Sequence, residues 1–229
     1  MSEKAVRQIV WRSLVVLTLV LASRPAAAAT QVGVIAGPNF SNLRIDGASD
    51  LNVRSTFAVG GVVDLGINDR WGIRIEPTYL SKGTKAQHRN AYWGTMDGAI
   101  FKLNYVDLPL LARIDLASSP KRGYLLAGVS VGFLTSADVE LSQAGVNETA
   151  DFSDVFKSTD LTLDLGAGVG VPAGAGRLTF DGRAAIGLAN INDGGTVTFQ
   201  GAPLDVPATS TKTLDFRLFA TYLFPVRGK

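Results

Sequence analysis

The chain has 229 residues, a formal net charge of +2, one histidine and no cysteine. The absence of cysteine excludes disulfides, zinc fingers and iron–sulfur clusters, and a single histidine excludes a three-histidine zinc site. An apolar content of 46% argues against disorder, and the small net charge lacks the basic excess of nucleic-acid binders.

The first 29 residues have the layout of a secretory signal peptide. Lys4, Arg7 and Arg12 precede a ten-residue apolar run, Ser13 to Ala22, and four alanines follow at 26–29. The run is too short for a membrane-spanning helix, which needs about 20 residues. We predict a signal peptide over residues 1–29, with an uncleaved anchor as the alternative.

The rest of the chain alternates with a period of two. From Leu161 to Val171 the odd positions are apolar, and the even positions are Thr, Asp or Gly. Helices repeat every three or four residues, so this pattern predicts strands with two unlike faces. Eight strands are predicted near 31–38, 55–67, 70–81, 100–115, 122–134, 160–171, 177–190 and 212–225, the first without a clear facing.

The fourth strand changes its pattern in the middle. Phe101, Leu103 and Tyr105 share one face, after which the apolar positions pass to Val106 and Leu108. A β-bulge near Tyr105 would shift the facing in this way.

The connections between the predicted strands alternate in length. Long loops are predicted at 39–54, 82–99, 135–159 and 191–211, and short turns at 68–69, 116–121 and 172–176. Long loops at one end and an even strand number are typical of bacterial outer-membrane barrels. We predict an all-β protein, an eight-stranded antiparallel up-and-down transmembrane β-barrel over residues 30–229, preceded by the signal peptide.

The non-apolar strand faces carry few charges, and they nearly balance. This set contains arginines and acids but no lysine, which favours a crowded interior where arginine forks bind carboxylates. We therefore predict an apolar outer wall and a lumen filled by ion pairs, with ordinary solvated charges as the alternative. The predicted lumen network is Arg74, Glu76, Asp107, Arg113, Asp164, Asp181, Arg183, Asp215 and Arg217.

Same-face neighbours in this set form three pairs of opposite charge. They are Arg74 with Glu76, Asp181 with Arg183, and Asp215 with Arg217. Aromatic residues near the strand ends are expected to form interfacial girdles. These are Phe57, Trp71, Tyr79, Phe101, Phe133, Tyr222 and Phe224.

Three segments resemble the outer-membrane β-barrel family often labelled porin-family or PorT-like. They are Gly33–Leu43 (GVIAGPNFSNL), Ile75–Gly83 (IEPTYLSKG) and Tyr105–Arg113 (YVDLPLLAR). The resemblance implies an outer-membrane barrel and no single activity. The chain departs from such barrels at its end, because five residues follow Phe224 in place of a terminal aromatic residue.

The sequence contains no convincing catalytic, cofactor or metal motif. The glycines of 166–176 precede no helix, so they do not form a phosphate loop. His88 has no partner motif for nucleophilic catalysis. The acids of the third long loop lack EF-hand spacing, which favours a hydrated loop over a calcium site. They are Asp138, Glu140, Glu148, Asp151 and Asp154.

We therefore expect a non-catalytic barrel with a filled lumen and long extracellular loops, acting in envelope structure, interaction or assembly. The expected location is the outer membrane of a double-membraned bacterium, after signal-peptide-directed export. The alternatives are a small-solute channel and a soluble, lipocalin-like ligand-binding barrel. Expected partners are outer-membrane lipid, lipopolysaccharide and the outer-membrane assembly machinery, with no nucleic acid and no cofactor, for a monomer.

Overall fold

The computed structural model describes residues 30–48, 51–87, 97–116, 122–143, 145–199 and 201–226. The predicted signal peptide, His88 and residues 227–229 lie outside the described residues. Within the described ranges, no helix is long and apolar enough to cross a membrane.

The described part of the chain forms strands joined by turns. Their period-two alternation of side chains is the pattern that the sequence predicts. The strands are β1 (Thr30–Ile45), β2 (Leu51–Gly66), β3 (Trp71–Ile75), β4 (Thr78–Lys82), β5 (Thr84–Gln87), β6 (Gly98–Asp115), β7 (Arg122–Gln143), β8 (Val146–Asp151), β9 (Thr159–Ala173), β10 (Gly176–Gly187), β11 (Gly195–Phe199), β12 (Ala202–Val206) and β13 (Thr211–Pro225).

The main sheet closes on itself. β1 pairs antiparallel with both β2 and β13, and neighbouring strands pair in chain order around the ring. β3, β4 and β5 together act as one barrel strand, interrupted at Pro77, which lacks an N–H, and at Gly83, whose φ of 144° favours glycine. The prediction of an eight-stranded antiparallel barrel is confirmed.

Over the half of the barrel with short turns, the outer wall is apolar, and the inner wall carries buried charges beside small apolar clusters. On β6, for example, Leu108 and Leu110 are exposed whereas Asp107 and Arg113 are buried. The facing of β1, which the sequence leaves open, is now assigned. Ile35, Asn39 and Ser41 point inward and are buried.

The irregularity near Tyr105 exists, but it does not change the facing of β6. Asn104 pairs with Ser136 and Tyr105 pairs with Leu134, so the extra residue is Thr135 on β7. Odd-numbered residues of β6 point inward along its whole length. The predicted change of facing is therefore wrong. What changes at Tyr105 is the chemistry of the inward side chains, which are apolar before this residue and include charged groups after it.

The described parts of the long connections contain long stretches of strand, which corrects the predicted loops. β1 continues to Ile45 and β2 begins at Leu51, while β7 runs to Gln143 and returns as β8. Residues 191–211 contain the β11–β12 hairpin. Because alternate side chains in these segments are buried on one face, the strands remain paired beyond the barrel wall.

This extended end encloses an apolar cluster, which we call the cap core. Phe101 is 4% exposed and meets Phe156 edge to face, with ring centroids 6.3 Å apart. Phe101 is therefore not part of an interfacial girdle, as its sequence position suggested. The cap core comprises Leu43, Ile45, Ala86, Ala99, Phe101, Leu103, Tyr105, Ala137, Val139, Leu141, Ala150, Phe152, Val155, Phe156, Ile191, Val197 and Phe199.

Candidate functional site: the ion-paired lumen

All nine residues of the predicted lumen network point into the barrel below the cap core. Each is buried, with 7% exposure at most. The structure joins them to further buried charged residues that the sequence analysis did not select, namely Asp64, Lys82, Asp115 and Asp160. The network forms three layers along the barrel axis.

Arg217 organises the layer next to the cap core. Its Nη2 lies 3.0 Å from Asp107 Oδ2 and 3.1 Å from Asp215 Oδ2, and its Nη1 lies 3.6 Å from Asp164 Oδ1. Arg217 is on β13 and Asp107 is on β6, which lie on opposite sides of the ring. One guanidinium group therefore bridges the lumen from wall to wall.

Lys82 completes this layer and corrects the expectation that the lumen contains no lysine. Its Nζ lies 2.9 Å from Asp160 Oδ2, 3.4 Å from Asp107 Oδ1 and 4.0 Å from Asp215 Oδ2. It also lies 4.8 Å from the centre of the Tyr105 ring. Three carboxylates converge on one point, and a compact ammonium group can contact all of them.

The middle layer is a second bridge across the lumen. The guanidinium of Arg183 on β10 binds both carboxylate oxygens of Glu76, the residue directly after β3, and Nη2 lies 3.0 Å from Oε1. Arg74 Nε lies 3.2 Å from the same Glu76 Oε1, and Arg74 Nη1 lies 3.7 Å from Asp181 Oδ2. The Tyr124 hydroxyl donates to Asp181 Oδ2 at 3.0 Å. Bidentate pairing fixes the orientation of both partners.

The third layer lies near the short turns. Arg113 Nη1 lies 3.4 Å from Asp64 Oδ2, and its Nη2 lies 3.5 Å from Asp115 Oδ2. Asp64 Oδ2 also lies 3.4 Å from Arg74 Nε, which links this layer to the middle one. Contacts within 4.0 Å thus join the third layer to the middle one, whereas the layer of Arg217 and Lys82 forms a separate cluster next to the cap core.

The three same-strand pairs of the sequence analysis are ion pairs in the structure. They are Arg74 with Glu76, Asp181 with Arg183, and Asp215 with Arg217. The bridges across the lumen were missed, although ring order alone places β3 opposite β10. Lys82 was missed too, although it shares the even-numbered inward face of Arg74, Glu76 and Thr78.

Glycines of the 166–176 segment make room for this network. A Cβ on Gly166 would lie 2.7 Å from Arg183 Cγ, and one on Gly168 would lie 2.6 Å from Tyr124 Oη. Both contacts are too close for real carbon atoms. The segment forms β9 and its turn, and it makes close side-chain packing possible.

The ion pairs between opposite walls are suited to holding the barrel closed.

The structure offers no metal site among the residues that it describes. Within them, no group of three or more histidine or acidic side chains could hold a metal ion. The five acids of the third long connection lie on or beside the β7–β8 extension, where Glu140 pairs with Lys102 and Asp151 Oδ1 accepts the Ser153 N–H at 2.8 Å.

Residues 23–193 match the family described as "Outer membrane protein beta-barrel domain". The chain belongs to this outer-membrane β-barrel family. The family predicted from the sequence is therefore confirmed. A search of curated proteins finds no match.

The fold is also similar to solved outer-membrane barrels. Neisserial surface protein A matches at 14% identity and a TM-score of 0.46, covering 86% of this chain and 98% of that one. OprG from Pseudomonas aeruginosa matches at 15% and 0.48, covering 87% and 96%. Ail from Yersinia pestis matches at 15% and 0.42, covering 85% and 98%.

Proposed function

We propose that this outer-membrane barrel is non-catalytic and non-conducting, and that it holds a packed β-structure outside the cell. The observation that carries the proposal is the pair of bridges across the lumen, Arg217 to Asp107 and Arg183 to Glu76. The interior of an eight-stranded barrel is only wide enough for side chains to fill. Two such bridges leave no open path for a solute.

The two alternatives fit the geometry less well. A small-solute channel needs a wetted pore, whereas Arg183, Arg217 and Lys82 are at most 2% exposed. A lipocalin-like protein needs a cavity for an apolar ligand. Here the apolar part of the interior is filled by its own side chains, among them Phe101 and Phe156.

The proposed orientation places the short turns in the periplasm and the cap core outside the cell. It follows the arrangement common to barrels of this type, with short periplasmic turns and longer outer segments. In this arrangement the protein is a monomer whose outer wall contacts membrane lipid and lipopolysaccharide. The outer-membrane assembly machinery is its partner during insertion. The export route through a signal peptide over residues 1–29 belongs to the same proposal.

Planar-bilayer recording tests the closed lumen. The parent protein should show no steady conductance above the bare bilayer. Replacing Arg217 and Asp107 together with alanine removes a bridge and should open a weak leak. Arg70→Ala, at an exposed turn residue, is the matched control and should stay closed. A steady, solute-permeable conductance in the parent protein would establish the channel alternative instead.

Fractionation and thiol labelling test location and orientation. The protein should be recovered with outer membrane and migrate faster on a denaturing gel when unheated. Cysteines at Leu165 and Leu218, on the outer wall, should be shielded from a polar reagent, and one at Asp205, exposed on β12, should label on whole cells. Asn192, at the start of the 191–211 connection, is unsuitable as a reporter because it is only 5% exposed. Recovery in the soluble periplasm without a heat shift would reject the proposal.

A further inference from the structure

Two cations face each other on the outer surface at the extended end of the barrel, the end that encloses the cap core. Arg44 on β1 and Lys212 on β13 are direct cross-strand partners, and both side chains are exposed. Like charges placed directly opposite on neighbouring strands are destabilising. Among the described residues, neither has an acidic partner within 4.0 Å. Within the described part of the chain, the two cations therefore have no direct ion-pair partner.

The wall directly below this pair is apolar. On β13 the outward residues that follow Lys212 are Leu214, Phe216 and Leu218, and Phe216 is 49% exposed. On β1 the outward residues pass from Asn42 to Phe40 and on to Val34. A cationic edge above an apolar strip matches the shape of an amphiphile, with an anionic headgroup above acyl chains.

The charges around this end of the barrel are unevenly distributed. Lys85, on the barrel strand beyond β2, extends the cationic side. On the opposite side of the ring, Asp138 on β7 is the direct cross-strand partner of Asp151 on β8. The end is thus cationic over β13 and β1 and acidic over β7 and β8, so an anionic ligand is attracted to one side only.

We propose that Arg44 and Lys212 bind the phosphate group of an outer-leaflet glycolipid whose acyl chains lie along Phe216 and Leu218. A guanidinium fork binds two phosphate oxygens, and an ammonium group adds a point charge beside it. The bound phosphate supplies a direct ion-pair partner for both cations. The proposal rests on the proposed orientation, which places this end of the barrel at the outer leaflet.

Native mass spectrometry of the protein refolded in detergent micelles tests this site. The probes are diphosphorylated lipid A, the same lipid with its phosphates removed, and inorganic phosphate. Arg44→Gln and Lys212→Gln should each weaken binding of the phosphorylated lipid about fivefold, and the double variant about thirtyfold. Arg44→Lys should keep most of the affinity. Lys157→Gln is the matched control, because Lys157 is a partly exposed lysine of the same end whose Nζ lies 3.2 Å from Asp193.

Three results would overturn the proposal. Equal weakening by Lys157→Gln would mean that only the general surface charge matters. Equal binding of the dephosphorylated lipid would mean that acyl contacts alone carry the affinity. Full competition by inorganic phosphate would mean that the pair binds a free anion. Retained heat-shift in every variant shows that the barrel is folded, and labelling at Asp205 tests orientation separately.

Discussion

The interior of this barrel is divided into two regions that are stabilised in different ways. β6 contributes to both, with Phe101 and Leu103 in the cap core and Asp107 and Arg113 in the charged lumen. Apolar contacts in the cap core are non-directional and scale with buried area. In the charged lumen a group such as Arg217 pairs with carboxylates of its own strand and of the opposite wall, so its loss leaves buried charges without compensation. The same strand can therefore be tolerant at one end and sensitive at the other.

The largest effect is expected at Arg217. Arg217→Ala should lower the free energy of unfolding by about 3–5 kcal/mol, because Asp107, Asp164 and Asp215 lose their shared cation. Urea unfolding in detergent micelles measures the change. Arg217→Lys should recover only part of the loss, since an ammonium group cannot bridge the same oxygens.

The control for this substitution is Arg70→Ala, at an exposed turn residue, which should stay within about 0.5 kcal/mol of the parent. If Arg217→Ala and Arg70→Ala unfold at the same urea concentration as the parent, the lumen charges are simply solvated. Arg89, on the second long connection, lies outside the described residues.

The cap core should respond to volume instead of charge. Phe101→Ala should cost about 3 kcal/mol through lost burial and a cavity beside Phe156, whereas Phe101→Leu should cost less than about 1.5 kcal/mol. The same unfolding assay applies. A loss on Phe101→Leu as large as that on Phe101→Ala would contradict the non-directional character of this region.

Close packing around the network predicts a smaller effect at the glycines. Gly168→Ala should destabilise by about 1–3 kcal/mol, because the added methyl group meets Tyr124 and Asp181. Gly61→Ala is the matched control, since its nearest neighbours would be 3.9 Å away. Equal stability of the two variants would show that the lumen has free space.

The smallest effect concerns pH at the extended end. Hydrogen bonds from the Ser153 side chain and backbone N–H hold the pKa of Asp151 below its ordinary value of 3.8. Because the pKa is lower in the folded state, the ionised Asp151 carboxylate stabilises the turn at any pH above its ordinary pKa. This stabilisation is lost as the pH falls through the lower, folded-state pKa. Hydrogen-exchange protection of the Ser153 amide should therefore fall between about pH 6 and about pH 2.5. Unchanged protection, or an equal fall in Asp151→Asn, would exclude this link.

Much of the fold was predictable because a strand repeats every two residues. Alternation along Leu161–Val171 fixes both the strand and its facing, and facing alone brings Asp215 and Arg217 together. Alternation also continues through Val139 and Leu141, inside a segment predicted as a loop. The extension of β7 was therefore predictable from the sequence, but the segment was interpreted as a loop because of its length.

Other features depend on distances that a strand pattern does not contain. The contact of Arg183 with Glu76 requires the closed ring and its radius as well as the two facings. Phe152 and Phe156 reach the cap core from the turn between β8 and β9, whose sequence has no period-two alternation. On β1 the inward face contains both Ile35, which packs in an apolar cluster, and Asn39, which hydrogen-bonds to Ser81. An inward face of mixed polarity shows no alternation in the sequence.

A double-mutant cycle on Glu76 and Arg183 tests most directly whether bridges across the lumen hold the barrel. Glu76→Gln, Arg183→Met and the double variant would be unfolded with urea in the same micelles, after a heat shift has shown that each is folded. We predict that the double variant loses less than the sum of the single losses, with a coupling of about 2 kcal/mol or more. Additivity within about 0.5 kcal/mol would mean that the bridge contributes nothing and would contradict the account.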